Sequence, residues 1–501
     1  MGHPLGQDAL ETRAAGGDVT RVDAVVVGAG PNGLTAAIVL ARAGLSVRVV
    51  EANDAVGGAA RTAALTLAGF AHDLGSAVHP LAVGSPIFRA LPLADHGLRW
   101  LQPDVALAHP LDDAPPALLT RDVDDMAGAL GADAPAYRAL VAPFADRWDA
   151  LAPDVLGPLV HWPAHPLLLA RFGVAALQPM TRLAARTFRG DAARALLGGI
   201  AAHSAVPGTH AGTASFALVL AAAAHAGGWP VAAGGSQAIS DALAAYLRAL
   251  GGEIVTGERV ASLDALPPAR VVLLAVTARQ FLGLAGDRLP NGYRRALASY
   301  RYGPGAFKVD WALDGPVPWR DADCARAGTV HLGGRLEEIV ASEAAVWRGE
   351  HPARPFVLLA QPSRVDPSRA PAGRESLWGY CHVPNGSTVD VLPRIEAQIE
   401  RFAPGFRDRI LARHVAGPGA LEAADANLVG GDIGGGANTL WQLFRRPVAR
   451  RVPYATPLRG VYLCSASTPP GGGVHGMCGY RAAALALRRD FGLTATPLDG
   501  R

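Results

Sequence analysis

Lysine is all but missing from this sequence. Of its 46 Lys and Arg residues, Lys308 alone is a lysine. A GC-rich coding bias accounts for the general excess of Arg and Ala, but it gives no reason for one lysine to remain. Cysteine is scarce too. Cys324, Cys381, Cys464 and Cys478 include no CxxC or CxxxxC pair. This excludes a disulfide framework and a redox-active dithiol. No Cys/His cluster has ligand spacing, so no metal site is expected. An excess of one charge is also absent. The net charge is +3 and no basic run interleaves with aromatics, which argues against nucleic-acid binding. The longest apolar stretch, Ala214 to Ala226, is interrupted by His225 and stops at Gly227–Gly228. It is shorter than the roughly 20 residues that cross a bilayer. Residues 1–21 are polar, Gly-rich and mixed in charge, without the apolar core of a secretory signal. They read as a flexible N-terminus. A soluble, cytoplasmic protein is expected, with peripheral membrane contact left open and no indication of oligomeric state.

What is present is a chain of 501 residues, half of them hydrophobic. That supports two domains and a large core. Asp23 to Val27 is a β-branched run ending in Gly28, Pro31 to Arg42 reads as a helix closed by Gly44, and Ser46 to Val50 is a second strand ending at Glu51. This is a β-α-β unit opening a doubly wound sheet. Ser236 to Ala249 reads as a helix, followed by strands at Glu253 to Thr256, Arg259 to Leu263 and Val271 to Val276. Near the end come a strand at Gly460 to Cys464, a Gly-rich loop, and a helix at Gly479 to Arg489. The expected fold is α/β. A discontinuous Rossmann-like domain (22–95, 232–285 and 425–495) carries a second, α+β substrate domain (96–231 and 286–424).

Gly28, Gly30 and Gly33 form GxGxxG between the first strand and helix, with Pro31 and Asn32 inside the motif. The first Gly permits the tight turn, the second lets backbone approach a pyrophosphate, and the third lets helix pack on strand. The helix N-terminus favours the phosphates. Glu51 is placed to accept from a ribose diol. Next comes GGAART, with Gly57, Gly58, Arg61 and Thr62. Two more glycines let backbone close on the ligand, and Arg61 suits a pyrophosphate.

GAGPNG, Glu51 and GGAART together resemble the FAD-binding start of the phytoene-dehydrogenase and amine-oxidase superfamily. GVYLCSASTPPGGGVHGMCGY, from Gly460 to Tyr480, is similar to the C-terminal flavin motif of phytoene-dehydrogenase-related proteins. GGSQAI from Gly234 and VGGDIGGG from Val429 fit the pyridine nucleotide–disulfide oxidoreductase-like branch. The resemblance spans about 22–490. It implies non-covalent FAD, with Val260 pairing its backbone with adenine and Gly472, Gly473, Val474, His475, Gly476 and Met477 wrapping the isoalloxazine. The family's acidic ribityl contact is replaced by Ser465–Ala466–Ser467, so that contact is expected from Ser465 or from backbone alone. The cysteine pair of a disulfide oxidoreductase is absent, and one Gly-rich fingerprint does not support a separate NAD(P)H domain.

Three residues are candidates for chemistry. Lys308, in GAFKVDWAL, resembles the amine-oxidase lysine that holds a water beside the flavin; the alternative is a structural lysine paired with Asp310. His475 either donates toward the ring or substrate, or shapes its loop. Asp432 either acts on substrate or holds an Asx turn. His79 and His203–Ser204 read as satisfied core residues, and Cys464 and Cys478 as small buried hydrophobes. The leading function is an FAD-dependent dehydrogenase, desaturase or oxidase acting on an apolar or amphipathic small molecule, with dioxygen, a quinone or another electron acceptor. A flavin-dependent isomerase and a flavin-stabilised binding or regulatory protein are the alternatives.

Overall fold

The computed structural model describes residues 21–495, 497 and 498. Apart from Arg21, the expected flexible N-terminus lies outside the described residues.

The first strand, β1 (Val22–Val27), is buried over its last four residues. A β-branched run with no polar face suits a central parallel strand covered on both sides. The chain turns through Gly28 and Gly30 into α1 (Pro31–Arg42), with Pro31 in the first turn, where a missing N–H costs little. It returns as β2 (Val47–Val50), parallel to β1, with Ala24 opposite Val47 and Val27 opposite Val50. The complete sheet has five parallel strands in the order Val461–Leu463, Ala269–Leu274, β1, β2, Glu253–Val255. Val461–Leu463 therefore lies one strand from β1, although more than four hundred residues separate them in the chain. The helix Met477–Ala486 packs on α1 and brings the Gly-rich loop before it to the same sheet end.

A second, mixed sheet of seven strands runs Ile410–Ala416, Gly305–Leu313, Glu375–Val383, Val357–Ala360, Ala327–Leu332, Val105–His109, Ala117–Leu119. Gly305–Leu313 is antiparallel to both neighbours, with Lys308 opposite Tyr380 and Asp310 opposite Trp378 and His414. Beside it stands a helical layer in which Thr213–Gly227 packs on Ala134–Ala145, Pro166–Ala176 and Asp191–Ala202. The expected fold class, a Rossmann-like α/β unit with an α+β companion, is the one adopted.

One expected strand does not form. Residues 256–262 carry no strand, and Leu263–Ala265 is a 3-10 turn. Gly257, at φ +75°, bends the chain out of the sheet direction. The Gly257 and Glu258 N–H groups then donate to the Asn53 and Glu51 carbonyls, so the segment folds over the end of β2 instead of extending an edge. The C-terminal helix also starts earlier than expected, at Met477, and is α-helical only to Ala486, with Leu487–Phe491 continuing as a π-turn.

Candidate cofactor and active site

A cavity of about 910 Å³ is lined by both sheets and by the helical layer. Its polar end is built on the first β-α-β turn. Gly28, Gly30, Pro31, Asn32 and Gly33 line it, as do Glu51 and Gly58. Two glycines there have different reasons for lacking a side chain. A Cβ on Gly33 would collide with the Gly28 carbonyl, so Gly33 is fixed by helix–strand packing. A Cβ on Gly30 would meet nothing closer than the Gly58 Cα at 3.9 Å. The protein itself leaves room at Gly30, and that room is cavity.

Glu51 is buried at the end of β2. Its Oε2 accepts the Ala29 N–H at 2.6 Å and its Oε1 accepts the Asn53 N–H at 2.9 Å. The carboxylate thus ties the glycine turn to the segment after β2 and keeps two oxygens at the cavity wall. Val260 lines the same end through the segment that folds over β2. Asp425 and Asn427, which the sequence did not single out, close it from the opposite side. Burial raises the Asp425 pKa, with Glu51 adding repulsion. Asn427 bridges the Thr277 N–H and the Ala275 carbonyl.

Arg61, Thr62 and Gly57 do not line the cavity. Arg61 donates to the Gly58 carbonyl at 2.8 Å and the Ala424 carbonyl at 3.0 Å, so it joins two wall loops from behind. Thr62 donates to Asp73 at 2.7 Å and accepts the Gln237 N–H. The Thr62 hydroxyl proton is thus engaged within the protein, and Arg61 spends two of its five N–H donors on the wall loops.

The C-terminal loop forms the next part of the wall. Ser465, Gly472, Gly473, Val474 and His475 line it, whereas Gly476 and Met477 sit behind it. Ser465 Oγ donates to the Val276 carbonyl at 2.7 Å, which fixes the loop to the end of the neighbouring strand. The buried His475 accepts the Met477 N–H on Nδ1 at 3.1 Å, and its Nε2 has no partner among the described residues. Burial lowers its pKa to about 4. With Nδ1 accepting, the neutral ring carries its proton on Nε2, beside the Gly471 and Gly472 backbone in the cavity wall. Asn32 Oδ1, at the start of α1, is likewise buried and unpartnered. Asp432 differs: it accepts the Gly303 N–H at 2.8 Å and the Gly434 N–H at 2.7 Å. Both oxygens hold backbone turns, which is the Asx-turn alternative.

The apolar end is made by the second sheet. Ala306, Lys308, Leu358, Trp378 and Tyr380 face the cavity. Lys308 is 3% exposed, and its ammonium donates to Asp310, which is fully buried. It lies 5.8 Å from the Trp378 ring centroid. Burial lowers its pKa, while Asp310 opposes that shift. Asp310 in turn stands 3.3 Å from His414 Nδ1 and 3.7 Å from His72 Nδ1. Lys308 is therefore both cavity-facing and paired with Asp310. Trp378 and Tyr380 pack edge to face at 5.3 Å and form a wall that the sequence did not single out. His79 and His203 also line the cavity, with His79 Nε2 3.0 Å from Ser236 Oγ and His203 Nε2 3.1 Å from His331 Nε2. The four cysteines are buried and unpaired, and no metal-holding cluster occurs among the described residues.

These features fit FAD. A side-chain-free trough over Gly30 leads from a helix N-terminus past Glu51, and unpartnered buried polar atoms of Asn32 and His475 stand along a cavity that turns apolar toward Lys308.

Residues 26–91 match the NAD(P)-binding Rossmann-like domain family. Over 93% of both chains, the protein is 28% identical to pyridine nucleotide-disulfide oxidoreductase domain-containing protein 2 of Rattus norvegicus. This chain is its homologue. Across 25% of this chain and 26% of the other, it is 32% identical to 4,4'-diapolycopen-4-al dehydrogenase of Metabacillus indicus. Its fold matches that of wild-type putrescine oxidase bound to putrescine, with a TM-score of 0.57 and 19% identity over 94% of this chain and 100% of that one. The resemblance read in the motifs is borne out, and the oxidoreductase class and dinucleotide-type cofactor expected from them agree with these relatives. Among the described residues no helix is long and apolar enough to cross a membrane.

Proposed function

We propose that this chain is a cytoplasmic FAD-dependent oxidoreductase that takes hydride from an apolar or amphipathic small molecule and passes electrons to dioxygen, a quinone or another acceptor. One observation carries the reading: a single cavity joins the glycine trough at Gly30 to the aromatic wall around Lys308. FAD bound in the trough supplies the redox chemistry, accepting a hydride from a substrate carbon. The chain supplies the rest. Leu358, Trp378 and Tyr380 exclude water and hold an apolar body against the ring position. His475 Nε2–H and the backbone entering Met477–Ala486 favour negative charge at the loop end of the cavity. Lys308 Nζ, held by Asp310, positions a water or moves a proton at the apolar end, a task for a compact amine rather than a planar guanidinium.

Anaerobic photoreduction followed by mixing with air, quinone or other acceptors tests this. Reoxidation by one of them, together with reduction by an apolar substrate, supports the proposal. A bound flavin that neither photoreduces nor exchanges electrons with any acceptor would leave a binding protein instead.

A further inference from the structure

The cavity opens inside an apolar surface. Leu159 and Leu177 both line the cavity and are exposed at 53% and 56%, so it reaches solvent between them. The helix Pro166–Ala176 turns Leu168, Phe172 and Ala176 inward. Its opposite face is also largely apolar: Leu167 and Val174, with Leu177 just beyond the helix end, repeat at helical spacing, with Arg171 among them. Trp162 is 96% exposed, Leu167 86% and Val174 75%. Trp441 and Phe444 add a stacked aromatic pair on a second segment. Gly212 joins the two segments: its N–H donates to the Leu177 carbonyl at 3.0 Å, and its α-carbon faces the Leu440 side chain. The most exposed large apolar side chains among the described residues therefore gather at one opening of the cavity. Soluble monomers seldom leave so large a patch uncovered.

Charge indicates what covers it. Residues 155–190 contain no Asp or Glu, and neither do residues 433–489. The charges these segments carry are Arg, with Arg171 exposed on the outward helix face and Arg445 lying 5.3 Å from the Trp441 ring centroid. Apolar and Trp side chains interspersed with Arg, without acids, match the interface of an anionic bilayer. A second protein copy seated here would close the opening, whereas a bilayer would feed it.

We infer that this face docks peripherally on anionic lipid, so that an apolar substrate enters the cavity from the bilayer. The inference rests on the proposed reading of the cavity as an apolar-substrate site. Flotation of the flavin-loaded protein with vesicles of phosphatidylcholine, with and without phosphatidylglycerol, tests it. The protein is expected to float with the anionic vesicles and to be released by high salt. Trp162→Ser/Leu167→Ser/Val174→Ser is expected to weaken binding roughly a hundredfold or more, from lost apolar burial, while its circular dichroism and flavin absorbance stay unchanged. Arg171→Glu should weaken it less, and only at low salt. None of these residues lines the cavity. Failure to float with either vesicle, or flotation undiminished in the triple variant, overturns the inference. So does a dimer that light scattering shows dissociating in the triple variant. Protein without flavin would instead fault the functional reading, because flotation is read on the protein band alone.

Discussion

Replacing Lys308 by Met removes the partner of a buried carboxylate. Asp310 is fully buried and its ion-paired ammonium only 3% exposed. Breaking such a pair from one side costs about 3–5 kcal/mol. His414 at 3.3 Å and His72 at 3.7 Å offer partial compensation, so the lower end applies. Lys308→Met should therefore unfold at distinctly lower urea. Adding Asp310→Leu should restore most of the loss, because an apolar replacement of both partners is close to neutral. Function should not follow stability. If Lys308 Nζ positions a water or moves a proton, anaerobic stopped-flow should show flavin reduction slowed about ten- to a thousand-fold in both single and double variants. Lys308→Arg keeps the charge but not the compact shape, and should rescue little. A destabilised single variant with a double variant reducing at the wild-type rate would reduce Lys308 to a structural ion and refute the reasoning.

Three further outcomes are expected. Gly30→Val should abolish FAD binding and leave the unfolding midpoint nearly unchanged, whereas Gly33→Val should lower the midpoint itself; paired urea melts and flavin titrations separate the two. Burial holds His72, His79, His109 and His475 at about 4 and His203 at about 3, against 6.5 unfolded. The unfolded chain thus binds the extra protons, and stability is lost as pH falls from 6.5 toward 4, by up to about 3 kcal/mol per histidine, so the urea midpoint read by circular dichroism should fall steeply over that range. Uniform labelling with isotopic lysine should give one side-chain NMR resonance, titrating below the usual lysine range.

The local parts of this architecture were legible because their signals are local. VDAVVVGAGPNG holds a strand, a turn and a helix start within twelve residues, and it folds as read. GAFKVDWAL forms a single strand, with its lysine toward the cavity. What escaped depends on distant pairing. Trp378 and Tyr380 face Lys308 only because their strand registers antiparallel to Gly305–Leu313. Asp425 and Asn427 line the same cavity as the glycine turn from more than three hundred residues away in the chain, with no motif to mark them. Arg61 follows a glycine pair that suits a phosphate, yet its side chain lies behind the cavity wall and donates to the Ala424 carbonyl. Arg259 to Leu263 has a strand's composition, but Gly257 turns it onto the Glu51 and Asn53 carbonyls.

The central claim is that the Gly30 trough holds FAD without a covalent bond. Titrating the purified protein with FAD, NAD and NADP, then precipitating it with acid, tests this most directly. The account predicts saturable FAD uptake with a structured visible spectrum, little affinity for NAD or NADP, and all the flavin in the acid supernatant. Binding of NAD or NADP in preference to FAD, or flavin that stays with the precipitated chain, would contradict it.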